Sequence, residues 1–120
     1  MLYRIYLYVL TQMISQGKAE AFFAGRSVEF TLDSKKEKWI VSSFISSKKD
    51  KNKQVIKEFF PGRCKARFTS KNSYLFLEDE KTLYLRQEFS QKNRYVVFRE
   101  MFTSYLQEVE DWSMFFSSNS

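Results

Sequence analysis

The amino-acid sequence predicts an α+β domain, an antiparallel sheet with helices covering one face. Three observations point there. The last third carries two short apolar runs, Tyr74-Leu75-Phe76-Leu77 and Leu83-Tyr84-Leu85-Arg86, joined by the polar turn Glu78-Asp79-Glu80-Lys81-Thr82. A long apolar stripe follows at spacings of three and four, through Phe98, Met101, Phe102, Tyr105, Val109, Trp112 and Phe116. Nearer the start, Val28, Phe30 and Leu32 alternate with Glu29 and Thr31, the period of a half-buried strand. Strand pairs and helices that each bury one face combine into a sheet with its helices on one side.

Residues 2–16 suit a first helix, because Leu2, Tyr6, Leu10, Met13 and Ile14 recur at helical spacing and Gly17 can stop it. Tyr3, Leu7 and Val9 lie off that stripe, so this helix is either deeply buried or offers a second face to a partner. Residues 21–32 read as extended, and residues 33–38 as a polar turn. Trp39 to Ile45 return as a strand apolar on both faces, which implies a central position and a first hairpin with the preceding strand. A Lys-rich loop spans 46–53. Val55, Ile56, Phe59 and Phe60 then make a short amphipathic helix, ended by Pro61-Gly62. Residues 64–69 can form a further strand, with Ala66 and Phe68 opposed to Lys65 and Arg67. In the second hairpin, Leu83, Leu85 and Phe89 share one face and Tyr84, Arg86 and Glu88 the other. The final helix, capped by Ser90 or Asn93, turns Arg99, Glu100, Gln107, Glu108 and Asp111 outward. One domain over 1–116 with a frayed tail at 117–120 completes the reading.

Composition narrows the chemistry. Hydrophobic residues make up 43% of the 120, enough for a core without disulfides or metal. There is no His and one cysteine, Cys64, so a transition-metal site lacks ligands and a Ser or Cys nucleophile lacks its usual activator. Three glycines, never clustered, exclude a phosphate-cradling loop. No enzyme activity, cofactor or metal is expected. Cys64 reads as a small hydrophobe near a strand start. Ile5 to Leu10 behind Arg4, with Ala19-Glu20-Ala21 beyond, has the look of a signal-peptide core, but Gln12, Ser15, Gln16 and Lys18 interrupt it. It reads as a helix of the fold, so a soluble, cytoplasmic protein with no membrane partner is expected.

The order of elements resembles the class I type III secretion chaperones of bacterial pathogens and symbionts. Residues 74–112 carry the likeness: Leu75-Phe76-Leu77-Glu78-Asp79, then Leu83-Tyr84-Leu85, then Phe98, Leu106 and a late Trp112. Gly25-Arg26-Ser27-Val28-Glu29-Phe30 also falls where that family has its first strand. The resemblance implies a non-enzymatic dimer that binds the N-terminal segment of a secreted effector and keeps it export-competent. It also implies that Val55, Ile56, Phe59 and Phe60 help build the dimer interface, with a second copy or a sister chaperone. Client side chains would then be received by Tyr3 and Leu7 of the first helix and by Phe44 of the sheet. Members of that family are typically acidic, and this chain departs from them with a net charge of +6; a basic member would serve an acidic client or pair with an acidic sister chaperone.

The same charge supports a rival reading, a single-stranded nucleic-acid-binding module. Lys35, Lys36 and Lys38, with Lys48, Lys49, Lys51 and Lys53, flank a strand that carries Trp39 and Phe44. Basic loops beside aromatic side chains are how such modules grip a strand, and phosphate contacts make that grip strongly salt-dependent.

Overall fold

A computed structural model describes residues 2–33, 35–49 and 51–118. Helix α1 spans Leu2–Gln16, followed by strands β1 (Lys18–Phe23), β2 (Arg26–Asp33) and β3 (Lys38–Ser47). Helix α2 (Lys53–Phe59) leads into β4 (Ala66–Phe68), β5 (Ser73–Glu78) and β6 (Thr82–Ser90), and α3 (Tyr95–Ser118) closes the chain. The strands form one antiparallel sheet in the order β1-β2-β3-β6-β5-β4. The α+β class expected from the sequence is the one observed.

Local chemistry sets most of these elements. Gly17 ends α1 in a left-handed conformation (φ 75°), and its N–H donates to the Met13 carbonyl at 2.9 Å. The first strand went unrecognised in the sequence because its turn is unusual. Residues 21–32 are two strands, with Ala24 and Gly25 both at positive φ (51° and 78°) between Phe23 and Arg26. That is the geometry of a two-residue hairpin turn that favours Asn-Gly or Asp-Gly, and alanine there carries a strain of about 1 kcal/mol. Ala24→Asn is accordingly expected to raise stability by about 0.5–1 kcal/mol in chemical denaturation. No gain, or a loss, would show that the turn is not formed as described.

The core lies between the sheet and the helices. Val28 and Phe30 of β2, Trp39, Val41 and Ile45 of β3, and Leu83, Leu85 and Phe89 of β6 are buried there with Leu75 and Leu77 of β5. Against them α3 buries Phe98, Phe102, Tyr105, Val109 and Phe116, the stripe read in the sequence. In α1 the buried pair is Val9 and Met13, while Ile14 is 74% exposed. Ile14 therefore leaves the expected core stripe and Val9 joins it. Arg26 fastens the sheet to α3, donating from Nε to Glu110 Oε2 at 3.2 Å and from a terminal guanidinium nitrogen to Ser113 Oγ at 3.1 Å.

Two boundary expectations change. Ser90 Oγ accepts the Lys92 N–H and the Asn93 amide approaches the Met101 sulfur, so these side chains are engaged away from the start of α3. The helix runs on to Ser118, past the expected end at 116, and the rest of the expected tail lies outside the described residues. Part of the 33–38 turn, at Ser34, also lies outside them.

Candidate functional site

All three helices meet the same face of the sheet, which leaves the other face open. Alternation along the strands then decides which side chains reach it. In β3, Trp39, Val41 and Ser43 point into the core, so Ile40, Ser42 and Phe44 point out. Two neighbouring rows cross the open face at right angles to the strands. Phe44 pairs with Tyr84, Tyr84 with Phe76, and Phe76 with Ala66; beside them Ser42 pairs with Arg86, Arg86 with Tyr74, and Tyr74 with Phe68.

Arg86 sits at the centre of this band. Its guanidinium lies 4.1 Å above the Phe76 ring and 5.6 Å from that of Tyr84, and its Nε donates to Ser42 Oγ at 3.3 Å. Phe44 stands edge-on to Tyr84 with ring centres 6.4 Å apart, and Phe68 lies 5.5 Å from Tyr74. Partial burial, helped by the Glu78 and Glu29 carboxylates, pushes the Tyr84 phenol above its ordinary value and keeps it neutral. Phe44 is 50% exposed and Phe68 71% exposed, so the band ends in accessible aromatic rings. The sequence placed Tyr84 and Arg86 opposite the buried leucines, as observed. Only the strand register adds Phe68, Tyr74 and Phe76 to the same surface.

A second apolar surface runs along α1. Tyr3, Leu7, Leu10 and Ile14 follow at spacings of four, three and four, which aligns them on one side of the helix. Tyr3 is 52% and Leu7 42% exposed, although Tyr3 also packs edge-on against Tyr95 at 4.9 Å. The three residues singled out for a partner therefore do not share one surface. Tyr3 and Leu7 belong to the helical side and Phe44 to the open face.

The four apolar residues of the 55–60 segment also divide. Ile56 and Phe60 are buried within the chain, so they have little surface left for a second copy. Val55 and Phe59 are half-buried. Phe59 meets Trp112 and Phe116 of α3 at 5.7 and 5.5 Å, with the Arg67 guanidinium 4.6 Å from its ring.

The arrangement expected of a nucleic-acid grip does not form around Trp39, which is buried between Tyr6 and Phe98. The two lysine clusters flank opposite ends of the ten-residue β3, about 30 Å apart. Among the described residues no cluster of His, Cys, Asp and Glu could hold a metal ion, and no helix is long and apolar enough to cross a membrane.

No family model and no curated protein matches the chain. Among solved structures, it is similar to a chain of the HopA1-SchA chaperone-effector complex, with a TM-score of 0.64 over 91% of this chain and 93% of that one. The fold is shared with a chain of that complex. At 12% identity the likeness is one of fold, and the roles of individual residues rest on this chain's own geometry. The fold leaves two exposed apolar surfaces here: a helix stripe, and an open sheet face between two edge strands. Among the described residues β1 pairs only with β2, and β4 only with β5.

Proposed function

We propose that this protein is a class I type III secretion chaperone, a cytoplasmic dimer that holds the N-terminal segment of a secreted effector in an export-competent state. The observation that carries the reading is the fold shared, over nine-tenths of each chain, with a chain of a chaperone-effector complex. The surfaces support it physically. A client kept from folding presents extended backbone and apolar side chains together. Free edge strands accept the backbone, and exposed apolar stripes accept the side chains. Tyr3 and Leu7 would receive anchors on the helical side, and Phe44 on the open sheet face. Val55 and Phe59 of α2 are the half-buried pair through which a second copy, or a sister subunit, would meet the chain.

The test is a tagged pull-down from the native cells, nuclease-treated and washed at high salt, with mass spectrometry of what stays bound. One stoichiometric secreted protein, retained through its N-terminal segment, is the expected result. Leu7→Asp combined with Phe44→Asp is expected to lower its recovery by about tenfold or more, the effect of removing an interface anchor. Both side chains are exposed, so Tm should move little. Loss of everything to nuclease and salt would sink the chaperone reading in favour of nucleic acid.

A further inference from the structure

The charge of this chain is not spread evenly. Residues 48–65 contain seven Lys and Arg against Asp50 and Glu58, a net +5 of the total +6. The fold sets four of these cations around a cavity of about 580 Å³. Lys48, Lys57, Arg63 and Lys65 line it, opposed by a single carboxylate, Glu80. None of the four cations makes an ion pair among the described residues. The cavity also has an apolar side, formed by Ile56, Phe60 and Leu77.

The site is braced rather than floppy. Asn52 is buried, and its Oδ1 accepts the Lys49 N–H at 2.7 Å while its Nδ2 donates to the Ser47 carbonyl at 3.0 Å. That ties Lys49 and Asn52 to the end of β3. The Lys65 carbonyl accepts the Leu77 N–H at 2.8 Å, so the ladder of β4 continues one step into the cavity. The outer edge of that strand is free, because β4 pairs with β5 alone among the described residues.

We propose that this cavity and the adjoining β4 edge bind an extended acidic peptide segment, with its carboxylates on Lys57, Arg63 and Lys65. Charge selects the ligand: four unpaired cations around one concavity attract an anion and disfavour a basic chain. The free edge selects a peptide, since it offers backbone donors and acceptors at strand spacing. A nucleic acid would need an aromatic platform for its bases, and the one ring in the cavity, Phe60, is buried. The inference rests on the protein-binding reading and adds the chemistry of the bound segment to it.

The experiment uses the whole chain and a fluorescent peptide of about eight residues, the length of an ordinary strand, alternating Glu and Leu. Anisotropy titrations compare it with a Lys-Leu peptide and with a single-stranded oligonucleotide. Binding of the Glu-Leu peptide alone, weakening with salt, is expected. Lys57→Glu with Arg63→Glu should lower that affinity by about tenfold or more, as two charge-assisted contacts are reversed. Lys35→Glu with Lys36→Glu, at the other end of β3, should leave it unchanged. Equal binding of the Lys-Leu peptide, tighter binding of the oligonucleotide, or equal loss in both double variants would overturn the assignment. The pull-down separates the two readings. If the Lys57/Arg63 variant keeps its client while the Leu7/Phe44 variant loses it, the acidic-segment site is wrong and the chaperone reading stands.

Discussion

Phe102→Ala is expected to destabilise the protein by about 3–5 kcal/mol and to lower its Tm by about 10–25 °C. Phe102 has no solvent exposure and stands where the two halves of the sheet meet α3. Its ring is 4.9 Å from Phe23 of β1, 5.7 Å from Phe30 of β2 and 6.2 Å from Phe89 of β6. Along its own helix it stacks on Phe98 at 5.2 Å and on Tyr105 at 5.9 Å. Truncation removes the transfer free energy of the ring and leaves a cavity, because aromatic neighbours held in three strands and in the helix itself cannot all collapse into one gap. A loss of that size is a large share of the roughly 5–15 kcal/mol that holds an ordinary domain together. Phe68→Ala, on the open face, is the comparison: a 71% exposed ring should change stability by no more than about 0.5 kcal/mol. Both are read from urea denaturation followed by circular dichroism. Equal effects from the two variants would mean that the core has been assigned to the wrong face of the sheet.

The contrast between these phenylalanines also shows what the sequence could and could not disclose. Helix α3 was legible because its apolar side chains repeat every three or four residues, and a helix turns that spacing into one face without outside help. The β5–β6 hairpin was legible for the same reason, since its partner strands are neighbours in the chain. Strand β1 was hidden by a turn whose first residue, Ala24, is not one that turn chemistry favours. The pairing of β3 with β6 joins residues far apart in the chain, from Ser47 with Thr82 to Lys38 with Ser90, and no local pattern encodes it. The same limit applies to the candidate surfaces. Position off the helical stripe marked Tyr3 and Leu7, and both are exposed. Phe44 was marked through the resemblance, and only the packed fold shows that its side of β3 is the open one. Ile56 and Phe60 looked equivalent to Val55 and Phe59 in so short an amphipathic segment, and it is the neighbouring elements that bury the first pair. The basic cavity needed the fold most of all, since Lys48 and Leu77 become neighbours only through β-sheet pairing.

Tyr105 yields a second large effect, visible in the pH dependence of stability. Its hydroxyl is buried and lies 2.8 Å from both Ser43 Oγ and the Leu85 carbonyl. A carbonyl can only accept, so the phenol donates its one proton to Leu85 and receives a hydrogen bond from Ser43. Ionisation would place a charge in the core and break the bond to Leu85. Burial therefore pushes the phenol well above its ordinary value of 10.0, against a smaller opposing effect from Ser43. In the unfolded chain the same group titrates near pH 10. Below that pH both states hold the proton and the full contribution is present. Above it the unfolded state loses the proton and the folded state keeps it, so stability falls by about 1.4 kcal/mol per pH unit. Tyr105→Phe should cost about 1–3 kcal/mol near neutral pH, because Ser43 and the Leu85 carbonyl lose a buried partner. It should also remove this alkaline slope, so that the curves for the native protein and the variant converge between about pH 10 and pH 12. Denaturation series across that range measure both effects at once. Parallel curves, offset but never approaching, would show that Tyr105 ionises as readily in the folded protein as in the unfolded chain, and that its hydroxyl is not sealed in the core.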